Sequence, residues 1–373
     1  MRWPLRASRR VTVIVAGVSL PLSREFRLQG QEGLDALRLW ADHIQQAGGM
    51  AVGPSGSRLP LRLIALDDGS RAERARENVL RLLTEDRVDL LLGPYSSGLT
   101  RAVAPLAESH RKILWNHGGS SDAIADEGWR HLVSVPSPAS DYLRALPLLV
   151  KRQDPTVTRM SVVHAVTGTF ATDVARGVTE AAKAAAFDVV RLIPFESPLR
   201  DARALLADAL AGEPDLLVGA GRFQDDVTMV RRRDLLGGVK RLAFVGAGLE
   251  AFHEEVGDLA EDVIGPSQWE PAVHDPPHTG PTAEWFCAEF EKRFHRRPGY
   301  PAAQAFALGV VIMECLRRAE SLEDEALLSA AARALDTTTL YGRFLLDPVT
   351  SRQIGHRVLL VQWRNGRKVV ISR

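Results

Sequence analysis

Short apolar runs alternate with amphipathic stretches of helical period along the first third of the chain. The runs are rich in leucine and β-branched residues, and the stretches between them begin near Gln31, Arg71, Gly98 and Ser121. The apolar runs are VTVIVAG (11–17), LPLRLIAL (59–66), DLLLG (89–93), ILWN (113–116) and HLVSV (131–135). Strands that alternate with helices in this way predict a parallel sheet covered by helices.

A second series of the same kind begins after residue 140. Its apolar runs are RMSVVHA (159–165), DVVRLIPF (188–195), DLLVGA (215–220), RLAFVGA (241–247) and EDVIG (261–265). Its helical stretches start near Thr169, Leu199, Phe223 and Leu249. The chain therefore contains two similar α/β units in tandem.

The last part of the chain follows a different pattern. Three consecutive helical stretches, 281–294, 301–319 and 322–335, have no strand between them and need another surface to pack on. The final segment, 357–373, consists of two apolar runs joined by Asn365-Gly366, which is a strong signal of a two-residue hairpin turn.

Three linker segments divide the chain into two lobes. We predict an α/β fold of two doubly wound parallel-sheet lobes joined by a three-crossing hinge. The N-terminal lobe is predicted to hold residues 8–134 and 272–341, and the C-terminal lobe residues 139–264 and 346–373; the hinge segments lie near 134–138, 265–271 and 342–348. A hinge of this kind restrains sliding while it allows the lobes to open and close.

Two loops after neighbouring strands of the first lobe form the strongest candidate site. They combine glycines with polar side chains just before predicted helices, and they contain Tyr95, Ser96, Ser97, Asn116, His117, Gly118, Gly119 and Ser120. Hydroxyls and free backbone N–H groups at a helix start form a cradle for an anion or an amide. Both loops are predicted at the carboxyl edge of the sheet, where doubly wound folds bind ligands.

Several of these residues also have a purely structural interpretation. Ser96 and Ser97 could cap a helix, and capping can accompany ligand contact. His117 could be a satisfied structural histidine, and Tyr95 could be a packed ring with a tethered hydroxyl. The sequence leaves both interpretations open.

Longer segments of the chain resemble a known family in their order and spacing. They are VAGVSLPL followed by GQEGLDALRLWADHIQQAGG, LRLIALDDGSRAERARENVLRLL, VDLLLGPYSSGLTRAVAPLAE, and LYGRFLLDP with the closing hairpin. In these segments the chain resembles the type I periplasmic binding proteins of the leucine/isoleucine/valine-binding family. These are the solute receptors of bacterial ABC transporters, and the amide-sensing regulator is a cytoplasmic relative.

The resemblance implies roles for first-lobe residues at matching positions. It implies that the Ser97 hydroxyl takes a ligand carboxylate and that the Tyr95 backbone lies alongside. Gly119 and Ser120 would offer a carbonyl and a hydroxyl from the next loop.

The second lobe matches the family in its aromatic walls and departs from it at one position. Phe170 and Phe223 resemble the aromatic walls of the pocket. Where amino-acid binders place an acidic residue against the ligand's ammonium, this chain has Gly248. Glu250, two residues on, or Glu25 would have to supply that charge to an α-amino acid.

The composition excludes several classes of protein. A chain of 373 residues with 45% hydrophobic and 25% charged residues is typical of a soluble globular protein. The formal net charge of +1 provides no field that would attract nucleic acid or anionic lipid. We interpret the arginines at 231–233 and 296–297 as solvated helix faces. We therefore expect no nucleic-acid partner and no membrane insertion.

Two patterns that suggest a cofactor or a metal have weak contexts. Gly246, Gly248 and Ala251 spell the dinucleotide-binding pattern GxGxxA, but the following AFHEEVG is too short for the helix that would receive the pyrophosphate. His274 and His278 have the spacing of a helical metal pair, but two prolines between them forbid the helix. We expect neither a cofactor nor a metal.

The start of the chain bears on its location. MRWPLRASRR followed by VTVIVAGVSLPL has the charge and hydropathy of a secretory signal, but we interpret the apolar run as the first strand of the sheet. On this interpretation the expected location is cytoplasmic. A true start further upstream would instead restore export.

Three functions are compatible with these patterns. The first is a receptor that closes on a small polar solute, such as an amino acid, an amide or a small organic acid, and serves an ABC permease. The second is a cytoplasmic sensor of the same fold that acts on a regulatory partner protein. The third is a serine hydrolase that uses Ser96, although Pro94 and Gly98 around it do not meet the G-x-S-x-G pattern. We expect a binding protein and not an enzyme.

Overall fold

The computed structural model describes residues 12–53, 58–273, 275–328 and 332–372, with the backbone only at position 189. The elements of the first part are, in chain order, β1 (Ile14–Leu20), α1 (Arg27–Gln46), β2 (Met50–Ala51), β3 (Arg58–Leu59), β4 (Leu61–Asp67), α2 (Ala72–Thr84), β5 (Leu90–Leu92), α3 (Ser97–Ser109), β6 (Leu114–Asn116), α4 (Asp122–Asp126) and β7 (Leu132–Ser134). The next are α5 (Leu146–Gln153), β8 (Arg159–Ala165), α6 (Phe170–Ala184), β9 (Val189–Phe195), α7 (Ala202–Leu210), β10 (Leu216–Ala220), α8 (Phe223–Val230), β11 (Arg241–Phe244), α9 (Ala251–Val256) and β12 (Ile264–Ser267). The last are α10 (Ala283–Phe294), α11 (Tyr300–Ala319), α12 (Asp324–Leu327), β13 (Asp336–Thr339), β14 (Gly342–Leu345), β15 (Leu359–Arg364) and β16 (Arg367–Ser372).

The first sheet contains five parallel strands in the order β4-β1-β5-β6-β7. Counted along the chain, this is the flavodoxin-like order 2-1-3-4-5, in which a ligand binds beyond the carboxyl ends of the first and third strands. Every residue of β1 is buried. The predicted doubly wound sheet is confirmed, and it places the loops after β1, β5 and β6 at one edge.

The bounds of the first βα unit differ from those predicted. The predicted strand at 11–17 begins outside the described residues, and the observed strand continues to Leu20. Val18 and Leu20 are fully buried and pair with β4, so the predicted end of the strand at residue 17 is wrong. Helix α1 begins at Arg27, ahead of the predicted start at Gln31.

The second sheet repeats the order of the first and adds a hairpin. Strands β9-β8-β10-β11-β12 are parallel, and β15 and β16 continue the sheet in antiparallel pairing beyond β12. The turn residues Asn365 and Gly366 have φ of 51° and 68°, the positive values that a type I′ turn requires. The predicted hairpin is confirmed.

The helices after β12 return to the first sheet, as predicted. Helix α11 packs along α1, and Trp40, Phe286 and Phe306 lie in one buried cluster with β1 and β5. The predicted third helix, 322–335, is an α-helix at 324–327 and a π-helix at 328 and 332; residues 329–331 lie outside the described part of the chain, so its full extent stays a prediction. The hairpin of β13 and β14 was not predicted. Its first strand contains three threonines, whose β-branched side chains favour strands.

Two lobes follow from these packing relations. We call the first sheet with α1–α4, α10 and α11 the first lobe, and the second sheet with α5–α9 the second lobe. Each has its own buried apolar cluster. The chain passes between the lobes after β7, after β12 and after β14. The residue bounds predicted for the lobes and the hinge stay a prediction.

Candidate functional site

The loops after β5 and β6 run side by side at the carboxyl edge of the first sheet. Tyr95 and Gly118 form an isolated parallel bridge, and the Ser96 N–H donates to the Gly118 carbonyl at 3.2 Å. A Cβ at Gly118 would lie 2.5 Å from the Cα of Tyr95, so only glycine permits this approach. The two predicted halves of the cradle are therefore adjacent in space.

Asn116 holds the second loop in shape. Its side chain is fully buried, and its Oδ1 accepts the N–H groups of Gly118 at 3.1 Å and Gly119 at 2.8 Å. Its Nδ2 donates to the Gly119 carbonyl and to Ser134 Oγ. Asn116 thus acts as a positioning residue, and the Gly119 carbonyl already has a donor.

The two predicted serines, Ser96 and Ser97, have different hydrogen-bond partners. Ser96 is the N-cap of α3: its φ is 89°, and its Oγ accepts the N–H of Leu99 at 3.3 Å. Ser97 Oγ accepts the N–H groups of Ser120 at 3.1 Å and Ser121 at 2.9 Å. These bonds use the acceptor capacity of Ser97. Its O–H bonds to no acceptor in the described part of the chain and is left as a donor for a ligand.

His117 lies in the interior, behind the cradle. Its ring is fully buried, and a Cβ at Gly33 of α1 would lie 3.2 Å from its Cε1. Burial lowers the pKa of His117 to about 4, so the ring is neutral at pH 7. The structure therefore places it between the second loop and α1 as a packed, uncharged side chain.

The second lobe faces the cradle through the starts of α6 and α8. Phe170 begins α6 and packs edge-on against Tyr142, with the ring centroids 5.2 Å apart. Phe223 begins α8 and is only partly buried. Arg222, which precedes it, forms an ion pair of 2.8 Å with Glu25 in the loop after β1. This ion pair joins the two lobes beside the cradle. We call the region between the lobes, bounded by the cradle and by the starts of α6 and α8, the cleft.

Glu250 lies beside a buried lysine. The Lys368 ammonium has three acceptors: the Gly248 carbonyl at 3.1 Å, Glu250 at 3.0 Å and Glu270 at 2.6 Å. Burial would lower the pKa of Lys368, but the two carboxylates outweigh burial and raise it. Lysine has three N–H donors, so this ammonium is saturated by the protein.

A second set of contacts joins the lobes next to the cradle. Ser121 Oγ donates to Asp173 of α6 at 2.6 Å, and the N–H of Asp122 donates to the same carboxylate at 2.9 Å. The Asp122 carboxylate in turn pairs with Arg176 at 2.7 Å. The second loop of the cradle is therefore attached directly to the second lobe.

The side chain of Gln268 connects the first two crossings with the hairpin of β13 and β14, which precedes the third. Its Oε1 accepts the Ser137 N–H of the first crossing at 2.8 Å and the hydroxyl of Tyr341, in the turn between β13 and β14, at 2.6 Å. Its Nε2 donates to the Tyr142 hydroxyl at 2.5 Å, which lies 3.0 Å from Ser120 Oγ. We call these five residues the Gln268 network, and all five are buried.

The chain has only four tyrosines, and they are close neighbours in this region. Tyr300, at the start of α11, lies within hydrogen-bonding reach of Tyr95 and within electrostatic reach of Tyr142 and Tyr341. Burial raises the pKa of all four hydroxyls, so they stay protonated at neutral pH. Of the four, only Tyr95 was predicted from the sequence as a candidate site residue.

The residues that sequence reasoning missed lie mainly in the hinge. Gln268 and Tyr341 fall in or next to the predicted hinge segments, and Tyr142 follows the first crossing. The sequence did contain a signal for them. Linkers that cross side by side between two lobes bury part of their surface against one another, and these linkers contain or adjoin a glutamine and two tyrosines, whose polar groups need partners there. Which of them would meet could not be read from spacing alone.

The dinucleotide-like pattern at 246–251 and the histidine pair at 274 and 278 lie in the second lobe and in the segment after it. Gly246 and Gly248 lie in a short 3₁₀ helix, and α9, which follows, has six residues. His274 lies outside the described residues, and elsewhere no group of three or more His, Cys, Asp or Glu side chains is arranged to hold a metal ion. In the described part of the chain, no helix is both long and apolar enough to cross a membrane.

Comparison with known proteins decides the family. The sequence profile of a family described as periplasmic binding protein matches residues 13–368. The chain belongs to this periplasmic binding protein family. A Leu/Ile/Val-binding protein homolog 8 of Brucella abortus is 24% identical over 375 residues, covering 95% of this chain and 89% of that relative.

Solved structures share the fold of this periplasmic binding protein. The branched-chain amino acid transporter substrate binding protein LivJ of Streptococcus pneumoniae, in complex with isoleucine, matches with a TM-score of 0.82 and 17% identity, covering 97% of this chain and 100% of LivJ. A solute binding protein from R. palustris, in complex with benzoate, matches with a TM-score of 0.79 and 17% identity, covering 96% of each chain. At these identities the likeness concerns the fold alone.

The Gln268 network predicts a stability effect in this periplasmic binding protein. Gln268→Met removes the acceptor of the Ser137 N–H and of the Tyr341 hydroxyl while it keeps the side-chain volume. Each buried group left unsatisfied costs roughly 1–3 kcal/mol, so urea denaturation should show a clearly lower free energy of unfolding. Gln224→Met, at an exposed position, is the control and should change little. Equal stability of both variants and the parent would refute the role of the network.

His356 predicts a pH dependence. It is buried, its Nδ1 lies 2.7 Å from Ser137 Oγ, and burial lowers its pKa from 6.5 to about 4. Because the unfolded chain binds this proton more readily, the contribution to stability is complete above pH 6.5 and is lost as the pH falls towards 4.

The measurement compares the parent with His356→Gln at pH 7 and pH 5. Between these values the variant should lose less free energy of unfolding than the parent, while a variant of the exposed His110, His110→Gln, should lose as much. Other titrating groups, such as Glu32 with a pKa raised by burial to about 7, act equally in all three proteins and cancel in the comparison. Identical losses in all three would contradict the assignment.

Proposed function

We propose that the protein is a ligand-binding receptor that closes on a small polar solute in the cleft between its lobes and serves an ABC transporter. The observation that carries this proposal is Ser97. Its hydroxyl accepts two N–H groups from the facing loop and keeps its own proton for a ligand oxygen. The family match and the solute-binding relatives support a role in binding.

The charges around the cleft favour an acid or an amide as the ligand. A free ammonium group needs an unpaired carboxylate, but Glu25 is paired with Arg222 and Glu250 with Lys368. A side chain at position 248 would lie 1.7 Å from the Pro266 carbonyl oxygen, so no acid can replace Gly248 there. Among amino acids, amides and small organic acids, we therefore propose that ligands without an α-amino group bind best.

A matched pair of ligands tests this preference. Leucine and 4-methylpentanoate differ only by the α-amino group, as do phenylalanine and 3-phenylpropanoate. A thermal-shift screen followed by calorimetry should show tighter binding of the acid in each pair, because binding to the native state raises its stability. Tighter binding of the amino acids by tenfold or more would contradict the charge argument and would leave the location of the cleft untouched.

Substitution of the cradle serines tests the site itself. Ser97→Ala and Ser120→Ala should each weaken binding of the best ligand from that screen by roughly 1–3 kcal/mol, since each leaves a buried polar partner unsatisfied. Ser109→Ala, at the exposed end of α3, is the matched control and should bind like the parent. Calorimetry measures all three, and unchanged affinity in both cradle variants would refute the site.

We propose binding without catalysis. Ser96 Oγ accepts a helix N–H and Ser97 Oγ accepts two loop N–H groups, and in the described residues neither hydroxyl is bonded to a histidine that could act as a base. An ester-hydrolysis assay on the parent protein checks this expectation. Turnover that disappears in Ser96→Ala would favour the hydrolase.

Transport and sensing differ in the location of the protein. Delivery to a permease requires an extracytoplasmic protein, whereas the predicted cytoplasmic location suits a sensor with a regulatory partner. Cell fractionation with intact-mass analysis of the recovered protein separates the two. A periplasmic product would favour transport, and a cytoplasmic product would favour the sensor.

A further inference from the structure

A polar pocket lies in the second lobe on the edge of the sheet opposite the cleft. It is partly open to solvent, has a volume of about 330 Å³, and lies between the start of β11, the segment before β12 and the end of β15. The parallel strands of this sheet run from this edge towards the cleft, so a full sheet length separates the pocket from the cradle. Nothing in the proposed function uses it.

The charge of the pocket is strongly one-sided. Four of its lining residues are cationic, and one is acidic: Arg233, Lys240, Arg241 and Arg364 against Asp262. The formal net charge of the whole chain is only +1. Lys240 is paired with Asp215 at 2.9 Å, so the excess of positive charge at the pocket rests on the three arginines.

The three arginines are held by neutral acceptors. Arg233 donates to the Leu259 carbonyl at 2.8 Å, Arg241 to the Lys240 carbonyl at 3.0 Å, and Arg364 to Gln362 Oε1 at 2.7 Å. Within the described ranges none of the three has a carboxylate within 4 Å. Each guanidinium keeps donors unused, because arginine has five N–H groups.

Neighbouring arginines behave differently. Arg231 pairs with Glu255 at 2.9 Å and Arg232 with Asp234 at 3.0 Å. Because α8 ends at Val230 and both of these arginines are ion-paired, the expectation that 231–233 is a solvated helix face is wrong. Arg233 is half-buried and lines the pocket. The guanidinium groups of Arg233, Arg241 and Arg364 therefore line one pocket without carboxylate partners. A negatively charged ligand would supply the missing counter-charge.

We propose that this pocket binds a small molecule that carries phosphate groups. Planar guanidinium forks suit the oxygens of phosphate in bidentate contacts, and three of them match a ligand with several negative charges. The volume lies at the lower end of the range for small-molecule sites, which fits a diphosphate or a nucleotide better than a polymer. This proposal does not depend on the function of the cleft.

Calorimetry with pyrophosphate tests the proposal. The ionic strength is matched with sodium chloride, because screening weakens any diffuse attraction. The parent should bind pyrophosphate saturably at one site, and ADP should compete if the natural source is a nucleotide. The triple variant Arg233→Gln/Arg241→Gln/Arg364→Gln should bind at least about tenfold more weakly, since charge-assisted hydrogen bonds are lost.

A second triple variant controls for net charge. Arg144→Gln/Arg191→Gln/Arg231→Gln removes the same charge from ion-paired arginines outside the pocket and should bind like the parent. If the pocket variant does not fold, Arg364→Gln alone, at an exposed position, should still weaken binding several-fold. Equal loss in both triple variants, binding that does not saturate, or a preference for citrate over pyrophosphate would overturn the proposal.

Discussion

The buried amide of Gln268 ties the first two crossings between the lobes to the hairpin of β13 and β14. Its oxygen takes one donor from Ser137 of the first crossing and one from Tyr341 of that hairpin, and its nitrogen reaches Tyr142. Ser137 Oγ in turn lies 2.7 Å from Nδ1 of His356, which belongs to the third crossing. A buried amide must satisfy both ends, because an unmet donor or acceptor in this environment is costly. The three crossings therefore hold a fixed relation to one another, and motion of the lobes has to occur as bending around this point.

The same network ends at the ligand cradle. Tyr142 passes the connection from Gln268 to Ser120, whose N–H is bonded to Ser97. The hinge and the cradle are thus one continuous set of hydrogen bonds, with no apolar layer between them. A ligand oxygen that accepts a hydrogen bond from the Ser97 hydroxyl would join this set, which gives a physical route from binding to closure.

Much of the fold could be predicted because its signals are local. Alternating apolar runs gave the two sheets, and Asn365-Gly366 gave the hairpin, since a type I′ turn needs residues that tolerate positive φ. The start of α1 and the hairpin of β13 and β14 were missed, because tertiary pairing and packing determine them.

The candidate site was predictable only as far as sequence order fixes position. The two loops of the cradle follow adjacent strands, so their meeting could be inferred from the sheet order. The pairing of Glu250 with Lys368 joins residues more than a hundred positions apart, and that of Glu25 with Arg222 joins the two lobes. Because of these ion pairs, neither the Glu25 nor the Glu250 carboxylate is left unpaired for a ligand's ammonium group. The pairing becomes visible only in the folded chain.

The central claim is that a ligand in the cleft draws the lobes together around the Gln268 network. Small-angle X-ray scattering of the parent protein, with and without a saturating amount of its best ligand, tests this most directly. The account predicts a smaller radius of gyration in the liganded protein. A scattering profile that stays the same at saturation would contradict it and would indicate a rigid pocket.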